Sequence, residues 1–333
     1  MKFLKLNNGS NMPIVGLGLS VFPEDPKTVE TSVELALPIG YRMFDTASLY
    51  KTEEHLGVTL KANLLKNPNI KRKDLFIVTK LPQIGMRPDL VDRFVTKSLK
   101  DLQLDYIDLY LIHWPIGMEF RGENDLFPML DVTTKECAYD FKTDLEGIWK
   151  ALEAQVKAGR VKSIGLSNVN ETQIERIVKI AEILPANNQI ELHAYIQQPK
   201  LRKLCEKYDI SITAYYPIGG RNRLQYPEEW QKLAPPVPPL LDDPVVTAIS
   251  KKHDKTPAQV LLRFLTQLNV AVIPKSSNAN RLKENFNILN FTLDSDDMDK
   301  LRGLDQGESA RTCFGMPGCD KHPEYPFPIA GSK

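Results

Sequence analysis

Cysteine is scarce in this chain. Only 4 occur in 333 residues, Cys137, Cys205, Cys313 and Cys319, and no two are separated by just two residues. That scatter points neither to a zinc site nor to a disulfide framework and leaves reduced thiols as the expectation. A surplus of one charge is also missing. Lys and Arg number 43 against 42 Asp and Glu, a formal net charge of +1, so no global field draws the protein to nucleic acid or an acidic membrane. Long apolar runs are lacking too. The opening stretch MKFLKLNNGSNMPIVGLGLS is broken by polar residues before it reaches signal-peptide length, and nothing later approaches a membrane span. The expectation is a cytoplasmic protein with a neutral small-molecule partner. Asn-x-Ser/Thr triplets at Asn8, Asn170 and Asn290 are read as chance matches.

What is present is ordinary globular material, 42% hydrophobic and 26% charged, enough for a large core. After a hairpin-like opening (FLKLNNGSNMPIVGLG), short β-rich runs alternate with longer helical patterns, and no change of composition marks a linker. The runs are VGLGL near Val15, YRMFD ending at Asp45, LFIVTK ending at Lys80, YIDLYLIH ending at His113, VKSIGLSN ending at Asn168, NNQIEL around Gln189, ISITAYY around Tyr215 and VAVIPKS around Ile273. Between them, segments such as those from Asp89 and Asp144 place apolar residues at three- and four-residue steps, and Gly159 is placed to stop the second. Eight strands with covering helices predict an α/β fold, a (β/α)8 TIM barrel with an N-terminal β-hairpin, forming a single domain over residues 1–333 with a C-terminal loop, 304–333. The rival Rossmann sheet requires a third glycine that Gly16-Leu17-Gly18 lacks at the fingerprint spacing.

Three stretches depart from this rhythm: Pro115 to Lys142, Pro217 to about Leu241, and the tail after Leu304. Loops of this length with Phe120, Phe127, Tyr226, Trp230 and Phe314 are read as lids over a pocket on the C-terminal face. In such a barrel the active site lies at the carboxyl ends of the strands. The polar residues closing the apolar runs are Asp45, Lys80, His113, Ser167 with Asn168, Gln189 with Glu191, and Lys275 with Ser276, with Tyr50 just beyond Asp45. Each alone has an ordinary structural explanation. Gathered on one rim they have a chemical one. A lysine ammonium near a phenol favours the phenolate and lowers the tyrosine from its usual ~10, while a carboxylate keeps that lysine charged and oriented.

Gly40-Tyr41-Arg42-Met43-Phe44-Asp45-Thr46-Ala47-Ser48-Leu49-Tyr50 resembles the aldo-keto reductase signature, and Leu111-Ile112-His113-Trp114-Pro115 and Ile273-Pro274-Lys275-Ser276 resemble two further motifs of that family, in the same order along the chain. The resemblance implies NADPH-dependent reduction of aldehydes and ketones to alcohols. In that reading Tyr50 protonates the carbonyl oxygen, Asp45 and Lys80 tune Tyr50, and His113 orients the substrate, with Trp114 also lining its site. It further implies that Ser167, Asn168 and Gln189 hold the nicotinamide carboxamide while Tyr215 stacks on the ring, with Gly18, Leu19, Ser20, Asp45, Pro217 and Ile218 along the cofactor. Lys275, Ser276, Ser277, Asn278 and Arg281 would meet the adenosine 2′-phosphate, and Glu284 and Asn285 the adenine. Two cations at a phosphate favour NADPH over NADH.

The chain departs from the family pattern in two places. Leu19, Ser20 and Val21 stand where many members carry a tryptophan that narrows the pocket, and Ile218-Gly219-Gly220-Arg221-Asn222 lacks the usual cofactor-clasping arrangement. With Ser20 leaving room, and Phe22, Trp114, Phe120, Trp230 and Phe314 near the mouth, the pocket has space for steroid-like carbonyls (an ecdysteroid-type 3-ketone among them) or isoprenoid ones beside small aldehydes, with an undirected detoxifying role as the alternative. Two other function classes compete with this reading. One is a regulatory or structural NADPH binder on the same fold, against which stands the retention of all four catalytic residue types. The other is a barrel hydrolase, which needs flanking carboxylates or a metal cluster that the sequence does not place suitably. His55, His193, His253 and His322 are read as bystanders, no metal is expected, and the family resemblance implies a monomer.

Overall fold

The computed structural model describes residues 2–20, 25–131, 133, 136–220 and 237–328. The chain enters through an antiparallel hairpin of β1 (Phe3–Lys5) and β2 (Asn11–Pro13). Gly9 makes its turn at φ 85°, a conformation that suits glycine. Parallel strands follow: β3 (Leu17–Gly18), β4 (Met43–Asp45), β5 (Phe76–Leu81) and β6 (Ile107–Ile112). After a small antiparallel hairpin of β7 (Met129–Asp131) and β8 (Glu136–Cys137) come β9 (Val161–Ser167), β10 (Asn187–Glu191), β11 (Ser211–Tyr215) and β12 (Ala271–Val272).

The parallel strands neighbour one another in chain order, β3-β4-β5-β6-β9-β10-β11-β12, and the two ends meet. Gly16 N–H donates to Val272 O at 2.9 Å and Val272 N–H to Ile14 O at 2.9 Å, a parallel bridge between Val15 and Val272. The sheet closes into the expected (β/α)8 barrel. At this seam Gly18 is required, because a Cβ there would lie 2.6 Å from Ile273 O.

Helices α1 (Thr28–Ile39), α2 (Glu53–Lys66), α3 (Pro88–Leu102), α4 (Leu145–Lys157), α5 (Glu171–Ile180), α6 (Pro199–Lys207), α7 (Pro244–His253), α8 (Pro257–Gln267), α9 (Ala279–Phe286) and α10 (Ser295–Arg302) surround it. Their burial follows the apolar spacing: Leu145, Ile148, Trp149 and Leu152 of α4 are fully buried at steps of three, one and three. Asp144 caps this helix by accepting from Gly147 N–H at 2.9 Å, and Gly159 follows its end at φ 74°. Strand β5 is buried along its whole length, as a two-faced parallel strand must be. Among the described residues, no helix is long and apolar enough to cross a membrane.

Candidate active site

The barrel delivers the polar strand ends to one rim. Asp45 is the last residue of β4 and Lys80 lies near the end of β5, two neighbouring strands in register. Lys80 has no exposed surface; its Nζ donates to Asp45 Oδ1 at 2.6 Å and to Thr46 O at 2.8 Å. Burial pulls the lysine below its usual range, and Asp45 followed by Glu53 pulls it back. The ammonium stands 5.1 Å from the centre of the Tyr50 ring. Tyr50 ends a single 3-10 turn, Ser48–Tyr50, and its hydroxyl is 3.4 Å from His113 Nε2. Burial, and then the Lys80 charge, hold His113 well below 6.5, so its ring is neutral at neutral pH. Its Nδ1 is buried with no hydrogen-bond partner among the described residues.

The residues expected around a nicotinamide ring are wired into the same rim. Gln189 Nε2 donates to Asp45 Oδ2 at 2.7 Å. Asn168, at φ 56°, donates to His113 O at 3.0 Å and to Ser167 Oγ at 3.2 Å, and accepts from the Tyr215 hydroxyl at 2.6 Å. Groups that handle a proton and groups that would hold a flat amide-bearing ring thus share one hydrogen-bonded network. The donor set suits such a cofactor: amide, hydroxyl and aromatic groups surround the site while the carboxylate is already neutralised by Lys80.

The expected phosphate region lies across the barrel seam. Gly18 N–H donates to Pro274 O at 3.3 Å, which places Gly18 beside the start of the segment Lys275–Asn278, and Ser20, two residues on, is half-buried. Asn278 caps α9 with its side-chain oxygen on Asn280 and Arg281 N–H, at 3.0 and 3.1 Å, and Ser276 Oγ accepts from Asn278 N–H at 3.1 Å. Ser277 and Arg281 are exposed, Lys275 and Glu284 half-buried and Asn285 buried. A helix N-terminus bordered by two cations is a fitting place for a phosphate. Pro217 and Ile218 lie in the turn after β11, where Gly219 N–H donates to Tyr216 O at 2.8 Å.

Residues 15–306 match the model of the aldo/keto reductase family. The chain belongs to that family. It is 38% identical to aldo-keto reductase family 1 member A1 of Rattus norvegicus over 97% of each chain, and 40% identical to dihydrodiol dehydrogenase 3 of Bos taurus, again over 97% of each. The aldose reductase structure from Schistosoma japonicum superposes with a TM-score of 0.86 at 39% identity, covering 98% of this chain and 99% of that one. As an aldo/keto reductase the protein is an oxidoreductase of carbonyl chemistry.

In this aldo/keto reductase the tail is held across the mouth by the rim residue Glu191 and by side chains, Arg311 and Phe327 among them, that sequence reasoning did not assign. Glu191, fully buried at the end of β10, accepts from Thr312 N–H and Oγ at 3.0 and 2.5 Å and from Cys313 N–H at 2.9 Å. Burial alone would raise this carboxyl, but His193, Arg311 and Thr312 together hold it below the usual range. Arg311, 2% exposed, stacks 3.7 Å from the centre of the Phe327 ring. Trp114, Phe314 and Tyr325 pack on that same ring at 5.7, 6.4 and 5.8 Å. Further along, Tyr139 donates to Met316 O at 3.1 Å and Arg176 pairs with Glu324 at 2.9 Å, so the loop after β6 and the tail form one cover. An arginine and a phenylalanine in an unpatterned tail gave no periodic signal that would have marked them.

Phe120 has its ring contacts on α3, 6.0 Å from Phe94 and 5.3 Å from Arg93. Val21, Phe22, Arg221, Asn222, Tyr226 and Trp230 lie outside the described residues. The four other histidines have protein partners: His55 with Glu30, His193 with Glu191, His253 with Asp297 and His322 with Asp140 O, at 2.8, 3.4, 2.6 and 3.0 Å. Asp294, Asp296 and Asp297 come within 4.8 Å of one another, where Lys252 and His253 balance the charge of Asp294 and Asp297.

Proposed function

We propose that this enzyme reduces aldehydes and ketones with NADPH, using Tyr50 as the proton donor. The observation that carries the reading is the meeting of Tyr50 with His113 Nε2 at 3.4 Å beside a fully buried Lys80 bound to Asp45 at 2.6 Å. When bound, NADPH supplies the hydride. The substrate oxygen would sit against the Tyr50 hydroxyl and His113 Nε2 together, within hydrogen-bond reach of both. As negative charge grows on that oxygen, the hydroxyl releases its proton to it, and the Lys80 ammonium stabilises the phenolate left behind. Asp45 keeps Lys80 charged in a site where burial works against the charge. Neutral His113 orients the carbonyl without competing as an acid.

Ser167, Asn168 and Gln189 would bind the carboxamide, and Tyr215 would stack on the ring, with Gly18, Leu19, Ser20, Pro217 and Ile218 along the cofactor. Lys275, Ser276, Ser277, Asn278 and Arg281 would take the 2′-phosphate, and Glu284 with Asn285 the adenine. One unit over residues 1–333, tail included, forms the site, working as a cytoplasmic monomer. The relatives' names, an aldose reductase and a dihydrodiol dehydrogenase, favour both small and ring-bearing substrates, and Ser20 in place of a bulky aromatic favours room for steroid-like or isoprenoid ketones.

The test follows NADPH absorbance over a panel of aldehydes and bulky ketones. Wild type should oxidise NADPH in the presence of carbonyls and use NADH clearly less well, and Tyr50→Phe should lose turnover by about 100-fold or more, the size of a general acid's contribution. Cofactor binding without any carbonyl reduction would sink the reading in favour of a regulatory binder. Turnover of short aldehydes but of no bulky ketone would remove the wide-mouth part alone.

A further inference from the structure

Tyr50 is presented by one 3-10 turn whose own backbone bonds are Tyr50 N–H to Ala47 O at 3.0 Å and Lys51 N–H to Ser48 O at 3.1 Å. A turn this short does not fix a side chain by itself. Something must hold it against β5, where Lys80 resides. Glu53, the first residue of α2 and only 3% exposed, makes that connection. Its Oε2 accepts from Ser48 Oγ, two residues before Tyr50, at 2.8 Å. Its Oε1 accepts from Thr79 Oγ1, the residue before Lys80, at 2.7 Å. Thr46 and Thr52 hydroxyls close the same corner at 2.6 Å.

We infer that Glu53 is a positioning residue for the reaction, one buried carboxylate that sets the Tyr50 hydroxyl relative to the Lys80 ammonium and adds negative charge behind that ammonium. The inference rests on Tyr50 being the proton donor. Burying a carboxylate only to stabilise the fold would be a poor choice, because desolvation works against it unless every lone pair is met. Here the hydroxyl donors, the α2 N-terminus and the nearby Lys80 charge offset part of that cost. Burial, with a smaller push from Asp101, holds the Glu53 carboxyl above its usual range, and the hydroxyls of Thr79, Ser98 and Ser48 draw it only part of the way back. The groups facing it are Lys80 and Thr79 on β5, Tyr110 on β6, and Ser98, Lys97 and Asp101 on α3. Lys97 pairs with Asp101 and Lys80 with Asp45, and Glu53 adds to the negative charge that both ammonium groups feel.

The experiment compares wild type, Tyr50→Phe, Glu53→Gln and Thr79→Val in NADPH-coupled reduction of benzaldehyde across pH 6 to 10, with NADPH binding followed by tryptophan fluorescence. Glu53→Gln keeps the size of the side chain and removes the charge. It is expected to bind NADPH like wild type and to lose kcat by about 10- to 100-fold, the scale of an ångström-level misplacement, with KM little changed. Its basic limb should move to lower pH, since removing a negative charge eases proton loss from the Lys80–Tyr50 pair. Thr79→Val, which cuts one strut and keeps the charge, should lower kcat without moving that limb. Where Glu53→Gln fails to fold, Thr79→Val decides: unchanged kcat there overturns the inference. Wild-type kcat and pH profile in Glu53→Gln, with only a lower Tm, also overturns it and leaves the proton-donor reading intact. Full activity of Tyr50→Phe overturns the proton-donor reading itself, and with it the role given to Glu53.

Discussion

At the scale of single residues, the site works by placing charges where water does not reach. His113 is 6% exposed, and burial followed by Lys80 lowers its proton affinity. Its signals should therefore stay those of a neutral imidazole from pH 8 down to 6, read by nitrogen chemical shifts. An imidazolium at pH 7 would contradict this. The sign for stability follows from linkage. The unfolded chain takes up protons on His113 and His322 near 6.5 while the native state, with both values lowered, does not. Stability is thus complete above that pH and falls below it. Replacing His322 by Asn should flatten that acid slope in urea unfolding. On the cofactor side, Arg281→Ala should weaken NADPH by about tenfold, one charge-assisted contact, and leave NADH unchanged. Equal loss for both cofactors would move the 2′-phosphate elsewhere.

At the scale of elements, the tail and the barrel seam are held by single decisive contacts. Three donors from Thr312 and Cys313 converge on Glu191. Glu191→Gln should speed hydrogen exchange across residues 311–313 and cost about 1–3 kcal/mol. The carboxyl lies below its usual 4.5 in the folded state. The latch is therefore complete above that value and is lost as pH falls through the lowered one. At the seam, Gly18→Ala would bring a methyl within 2.6 Å of the Ile273 carbonyl oxygen. That atom is backbone, so β3 or the β12 extension must shift. A loss of about 1–3 kcal/mol, the range for overpacking, should appear as a lower Tm. An unchanged Tm would mean the seam yields more freely than its hydrogen bonds imply.

At the scale of the whole molecule, the exposed large apolar side chains among the described residues are spread over several elements: Phe3 on the hairpin, Val58 and Leu65 on α2, Leu130 on β7, Phe141 in the loop before α4 and Leu184 before β10. A stable interface uses a contiguous apolar patch instead. With a formal net charge of +1 there is also no strong field to steer association. Sedimentation at micromolar concentration should give a single species near 37.7 kDa, and a dimer would contradict this.

Much of the fold was legible because strands and helices have different periods. Apolar runs such as FIVTK and stepped patterns such as that of α4 report local geometry directly, and a polar residue closing a run must sit at a rim. Asp45, Lys80, His113, Asn168 and Gln189 were therefore readable as candidates from their positions alone, and their order along the chain carried the family resemblance. The packing of Phe120 on Phe94 was not legible, because loops have no period to read and the two rings are distant in sequence. Glu191, Glu53 and Arg311 gained their importance only from what the closed barrel brings to them: Thr312, Thr79 and Phe327 lie 121, 26 and 16 residues away along the chain. The sequence by itself determined the barrel and the chemical types on its rim, since periodicity and strand ends are local properties. The tertiary structure alone decided which buried carboxylates act together with which segments, because satisfying a charge away from water depends on donors that only folding assembles.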